Sequence, residues 1–291
     1  MDESPRPGSP DEPELAAPVE QPVASATPAD GRSATIADNN RVVVDVDIRT
    51  AWTIERELPP GLAVCLLVSA SGPGWDGPIR VEVSVEGRIG PGPAMLTLSG
   101  LNQVDRRWSR AALTAGNGTD RITATIEPAD KAELTPPEGL SNVALWPEDV
   151  PPFRGARPGP ASLYEVRPLP GANGEPISTN AWVRPFRPEG TVRPNLLAID
   201  AWLAESQIDY VKQLAADPEA ERLPKASWCG GTFVLDRGVD PLAGANWLLR
   251  RTATVTGSGM ATEYGAIELA ETGFLRPRVS FEIRRPLPDV R

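Results

Sequence analysis

Arg193-Pro-Asn-Leu-Leu-Ala-Ile-Asp-Ala-Trp-Leu-Ala-Glu205 is the stretch on which the reading of this chain turns. Leu196, Leu197, Asp200, Leu203 and Ala204 recur at three- and four-residue steps, which predicts a helix with one apolar stripe and a carboxylate set within it. An ionised Asp facing a core is costly unless it is paired or hydrogen-bonded, so Asp200 is the first candidate for chemistry. The competing reading makes Asp200 an N-cap, with Ala201, Trp202 and Leu203 as the first helical turn.

Moving outward, the 291 residues are 40% hydrophobic and 23% charged, enough to bury one large core or two small ones. The formal charge is −10, and residues 1–40 supply much of it, with eight acidic residues against Arg6 and Arg32. The remaining body is mildly acidic and carries no basic patch, which argues against a nucleic-acid partner. Histidine is absent, which excludes a Ser-His-Asp triad, a Cys-His pair and any His-ligated metal. Acid–base work is left to Asp, Glu, Lys, Tyr, Arg or water. Cys65 and Cys229 stand far apart with no partner motif, so neither a zinc site nor a disulfide framework is suggested. Two buried, reduced thiols in a cytoplasmic protein are expected instead. No metal and no cofactor are expected. Only Lys131, Lys212 and Lys225 accompany the many arginines, a bias attributed to a GC-rich genome rather than to function.

Residues 1–40 are rich in Pro, Ala and acid, and read as a disordered tail that cannot offset its ordering entropy. They lack the charged start and apolar core of a secretory signal, and no run approaches the length of a membrane span, so neither export nor a membrane is expected. From Arg41 the pattern changes. Val42–Ile48 alternates as a strand, Trp52 follows, and Pro59-Pro60 precede an uninterrupted apolar run that predicts a short buried helix. Four strand candidates come next: Ile79–Gly87, Ala94–Val104, Trp108–Thr114 and Arg121–Glu127. Residues 128–177 are rich in Pro and Gly and read as a surface connector, pinned by Trp146 and Phe153.

The first pattern then returns within residues 178–291. Thr179–Phe186 reads as a strand with Trp182 in a place like that of Trp52, and a helix follows over Leu196–Leu214. Four more strand candidates complete it: Ser227–Asp236, Asn246–Thr256, Ala261–Glu268 and Phe274–Arg284. An internal duplication of one α+β unit, residues 41–127 and 178–291, is the strongest architectural signal.

The carriers of a family resemblance are Ala51-Trp-Thr-Ile54, Pro60-Gly-Leu-Ala63 and Gly87–Gly92 in the first half. In the second they are Trp182–Pro185, Leu197-Ala-Ile-Asp-Ala-Trp202, Ala245–Leu249 and Gly273-Phe-Leu275. In this order, twice over, the chain resembles the double-hotdog acyl-CoA thioesterases across residues 41–127 and 178–286. The resemblance implies a tandem hotdog, each unit a helix wrapped by an antiparallel sheet, with the sheets joined. It implies an acyl-thioesterase-like activity in which an Asp on the second helix, a hydroxyl at the start of the next strand and a Gln on the last strand activate a water. Asp200 fits the first position and Thr232 the second. The third falls at Phe281, which cannot hydrogen-bond, and losing such a group costs about 10²–10³ in rate. Ser280 and Glu282 flank it but point to the other face.

Tyr264 and Ser258 are weaker polar candidates. Arg250 and Arg251 read either as contacts for an anionic group such as a phosphate or as a solvated strand face. The many tryptophans, Trp52, Trp182, Trp202, Trp228 and Trp247 among them, suit a tunnel for a bulky acyl or polyketide-type substrate carried on CoA or a carrier protein, or else are core filler. Two alternatives stand beside hydrolysis: a repurposed hotdog that catalyses cyclisation, dehydration or rearrangement in specialised metabolism, and a non-catalytic acyl-binding subunit. Two fused units make a monomer or a homodimer the expected state.

Overall fold

The computed structural model describes residues 35–38, 40–54, 56–72, 75, 77–140, 145–152, 164–169, 180–185, 196–200, 228–236, 246–271 and 274–286. Pro59 and Pro60 open helix α1 (Pro60–Ala70), where proline is tolerated because the first helical N–H has no intrahelical acceptor. Every residue from Pro60 to Val68 is buried, so α1 has no solvent face and needs a wall on every side. At its C-terminus the Ser71 hydroxyl donates to the Val68 carbonyl at 2.7 Å and accepts from the Trp75 indole N–H at 3.2 Å.

The wall is one antiparallel sheet. The first half contributes β2 (Arg41–Ile48), β3 (Ile79–Glu86), β4 (Gly92–Asn102), β5 (Arg107–Ala115) and β6 (Arg121–Pro128). Alternation makes one face apolar: in β3, Val81 and Val83 are buried while Glu82 and Ser84 are exposed. The second half contributes β8 (Ala181–Pro185), the helical residues 196–200 (α2), β9 (Gly230–Leu235), β10 (Leu248–Gly257), β11 (Met260–Glu271) and β12 (Phe274–Pro286). Two further strands, β1 (Thr35–Asp38) and β7 (Tyr164–Pro168), extend the two ends.

The order across the described strands is β1-β2-β4-β5-β6-β3-β9-β12-β11-β10-β8-β7. Taken from each end inward, both halves run first, third, fourth, fifth, second strand of their own unit, so the duplication seen in the sequence is a duplication of topology. The halves meet where β3 pairs with β9, from Ile79 opposite Leu235 to Ser84 opposite Gly230. Gly230, at φ +144°, lets the strands close there, because a Cβ would collide with the Val83 carbonyl oxygen. Residues of α1, α2, β3, β9 and β12 belong to one hydrophobic core that spans the junction.

Three local expectations differ from the structure. Strand β1 lies inside the stretch read as a tail; the residues before it lie outside the described ones. Strand β7 lies inside the stretch read as a connector, too short to show a period, and inserts Tyr164 and Val166 into the core. Trp182 is not a counterpart of Trp52. It projects from β8 to the outer side of the sheet, into a small cluster with Val150, Leu169 and Leu249, whereas Trp52 belongs to the main core. Trp146 stacks on the Trp182 ring at 5.8 Å, and the Trp182 indole N–H donates to the Leu145 carbonyl at 3.0 Å, so this part of the connector is fastened to β8. Phe153 lies outside the described residues.

Candidate active site

Asp200 sits within α2 and is fully buried. It does not cap its own helix. Its two carboxylate oxygens instead accept from the N-terminus of α1 in the other half: Gly61 N–H donates to Oδ1 at 3.0 Å and Leu62 N–H to Oδ2 at 2.6 Å. These first-turn amides have no intrahelical acceptor, and the positive end of the helix dipole favours an anion there. Gly61 permits the approach, because any Cβ would run into the Leu196 carbonyl oxygen and stand 2.7 Å from Asp200 Oδ2.

Burial raises the Asp200 carboxyl, while the two amides and then Arg285 and Arg250 pull it back, leaving it at about 7. Arg250 is buried on the helix side of β10, and its Nη2 donates to Glu263 Oε1 of β11. Arg285 Nη2 of β12 stands 3.7 Å from Glu263 Oε2. Burial lowers the Arg250 guanidinium and Glu263 raises it again. Tyr164 of β7 is buried, and desolvation, with Cys65 of α1 and Asp200 nearby, raises its hydroxyl well above its ordinary value. The Arg250 guanidinium lies 5.8 Å above the Phe281 ring, and that ring covers Gly265, where a side chain would collide with it.

Phe281 faces the helix side and stacks on Phe233 of β9, its cross-strand partner, at 6.4 Å between centroids. Thr232, one residue before Phe233, points the other way. It lies in a row of outward residues, opposite Glu82 on β3 and Glu282 on β12, and the row continues to Tyr264 on β11. The sheet therefore separates Thr232 and Tyr264 from Asp200. Six consecutive pairs on each side of β9 fix that register. The outward row borders a polar groove of about 650 Å³ over the junction, lined by Glu82, Thr125, Thr232, Glu282 and Arg284 among others.

The aromatic candidates divide in the same way. Trp52, Trp228 and Phe281 belong to the core around α1, and the Trp228 indole N–H donates to the Leu58 carbonyl at 3.3 Å, just ahead of the helix. Trp182 and Trp247 lie on the outer side, Trp247 beneath the guanidiniums of Arg167 and Arg184 at 4.9 and 4.4 Å. Trp202 lies outside the described residues. Arg250 and Arg251 are not a solvated pair: Arg250 is buried inward, and Arg251 pairs with Glu268 at 2.6 Å on the outer face. Ser258 forms the tight turn between β10 and β11 at φ +50°. Neither cysteine is in a disulfide; Cys65 is buried and Cys229 half-buried. Among the described residues no group of acidic or thiol side chains is placed to hold a metal, and no helix is long and apolar enough to cross a membrane.

Sequence reasoning missed Gly61, Glu263 and Arg285. The only local signals were a glycine two places into a proline-led apolar helix, and charged residues at inward steps of Glu263-Tyr-Gly-Ala-Ile267 and Phe281-Glu-Ile-Arg-Arg285.

Two units of one helix wrapped by a five-stranded antiparallel sheet of first-third-fourth-fifth-second order, joined edge to edge, define a tandem hotdog. Comparison with solved structures agrees. The chain is a distant structural match to a hot-dog-fold protein of unknown function from Alicyclobacillus acidocaldarius, with TM-score 0.55, 15% identity, and coverage of 88% of this chain and 95% of that one. It matches an acyl-CoA thioesterase II from Mycobacterium marinum with TM-score 0.52 and 14% identity over 88% and 95%. Such identities establish the fold and not the chemistry. No protein-family model matches the sequence, and no curated protein sequence matches it.

Proposed function

We propose that this tandem hotdog is an enzyme acting on a bulky hydrophobic acyl thioester, carried on CoA or a carrier protein, with Asp200 as the group that takes and returns a proton. The observation that carries this reading is a carboxyl buried at the junction of the halves, held by two backbone amides and poised at about 7. A carboxyl with that value exchanges protons efficiently at neutral pH. Phe233 and Phe281, stacked on the inward face of the sheet in the same core as α1 and α2, offer an apolar surface that suits an acyl chain.

The same two rings bear on which reaction it is. Hydrolysis in the related thioesterases would rest on a hydroxyl and a Gln that steady a water, and here the inward positions of β9 and β12 carry phenyl groups, with Thr232 on the far face. Proton transfer on the acyl chain itself, as in dehydration, cyclisation or rearrangement, is therefore favoured over hydrolysis. A panel of acyl-CoAs incubated with the protein and followed by mass spectrometry for altered acyl groups, with free thiol measured in parallel, tests this. Altered acyl-CoA in excess over thiol, lost in Asp200→Asn, is the expected result. Equal turnover by Asp200→Asn would remove Asp200 from the chemistry.

One observation favours a second reading. Both Asp200 oxygens are already engaged by α1, as in a purely structural cap, and a non-catalytic acyl-binding subunit would show retained ligand and no turnover.

A further inference from the structure

We infer that the outer face of the first half docks a second copy of this chain, sheet against sheet, about a two-fold axis that runs along β6 at Thr125. This inference is independent of Asp200 and its chemistry. The outer side of the sheet is covered unequally. Over the second half, Trp146 and Val150 of the connector pack on Trp182, and Lys131–Leu134 lies over β9 and β12, where Glu133 pairs with Arg80 of β3. Over the first half, among the described residues, the face stays open as the floor of the polar groove. There Thr97, Ala112, Thr123 and Ser84 follow one another across β4, β5, β6 and β3. Side chains that short let another sheet approach to the usual spacing of about 10 Å.

The neighbouring row of outward residues is complementary to itself. Strand register sets Arg41, Ser99, Arg110, Thr125, Glu82, Thr232 and Glu282 side by side from β2 to β12. Outward from Thr125, each positive charge on one side answers a negative charge on the other: Arg110 and Glu82 first, then Arg41 and Glu282. A second copy turned about β6 reverses the order. Arg110 then faces the partner's Glu82 and Arg41 the partner's Glu282, and each pair is made twice. Among the described residues the side chains of Arg41, Arg110 and Glu82 are exposed and make no ion pair within their own chain, so docking breaks none. Glu282 has only Arg284 beside it, at 3.9 Å. Arg121 meets its own copy at the axis, each offset by the Glu86 that faces it on β3. From β2 to β12 the sheet spans about 29 Å at about 4.8 Å per strand, and the eight residues of β3 run about 27 Å. Such a face matches the roughly 800 Å² per partner of a standard specific interface.

Sedimentation velocity of the full-length protein, up to hundred-micromolar concentration, should show a dimer. Arg110→Glu and Glu82→Arg both lie on the exposed face, so each should keep the thermal transition of the wild type. Each should also weaken the dimer by about tenfold or more, because it sets like charges against one another at two places. Mixed in equal amounts, the two variants should associate with each other, since the two glutamates of Arg110→Glu then meet the two arginines of Glu82→Arg. A role confined to the fold of one chain gives no such rescue. A wild type that is monomeric over the whole range, a dimer indifferent to both variants, or two monomeric variants that stay apart on mixing would overturn the inference.

Discussion

Gly61 has no room for a side chain, because the backbone of α2 and the Asp200 carboxylate lie against its α-carbon. Gly61→Ala should push α1 and α2 apart and cost about 1–3 kcal/mol in denaturant unfolding, the usual penalty for overpacking a filled core. Asp200→Asn acts differently. An amide can accept from only one of the Gly61 and Leu62 N–H groups and turns its NH₂ towards the other, so the variant leaves a buried donor unmet. It also removes a titration. The Asp200 carboxyl moves from an ordinary 3.8 to about 7 on folding, so between these values the native state binds a proton that the unfolded chain lacks. The stability from this group is complete below 3.8 and is lost as pH rises through 7. Unfolding free energies of wild type should therefore fall relative to Asp200→Asn between pH 4 and pH 8, on the order of a few kcal/mol. A difference that stays flat would mean that Asp200 is ionised throughout, as a simple cap is.

At the scale of elements, the outward direction of Thr232 has a direct consequence. Thr232→Ala should leave acyl-CoA turnover unchanged and alter stability by no more than about 0.5 kcal/mol, as substitutions on a polar sheet face do. A loss of turnover of about a hundredfold would place that hydroxyl in the reaction and require β9 to shift by one residue against β3 and β12. Strand boundaries were legible in the sequence to within a few residues, because alternation and turn residues mark a half-buried antiparallel strand plainly. Which face a given residue takes was harder. Gly230-Gly-Thr-Phe-Val-Leu235 is buried at almost every position, so its pattern carries no phase, and Thr232 and Phe233 were indistinguishable until the register was in place. The apolar stripe around Asp200 was legible because its spacing is local. The amides and guanidiniums around it come from residues 61, 62, 250 and 285, and nothing in their own neighbourhoods tells where they meet.

For the whole molecule, the two halves share more than an edge. Asp200 of one half closes the helix of the other, β3 and β9 pair along six positions, and one core runs through both. Residues 178–291 alone would expose the β9 edge and leave Asp200 buried without its amides. That fragment should lack a cooperative thermal transition, while the full chain unfolds in one; a folded, independently melting fragment would show the junction to be incidental. The junction is also where the chemistry is proposed, so the most direct test is the proton itself. Carbon-13 NMR of the protein labelled at aspartate side-chain carboxyls should show one resonance, absent in Asp200→Asn, that titrates with a midpoint near 7. An Asp200 resonance that titrates near 4, or stays ionised across the range, would contradict the account.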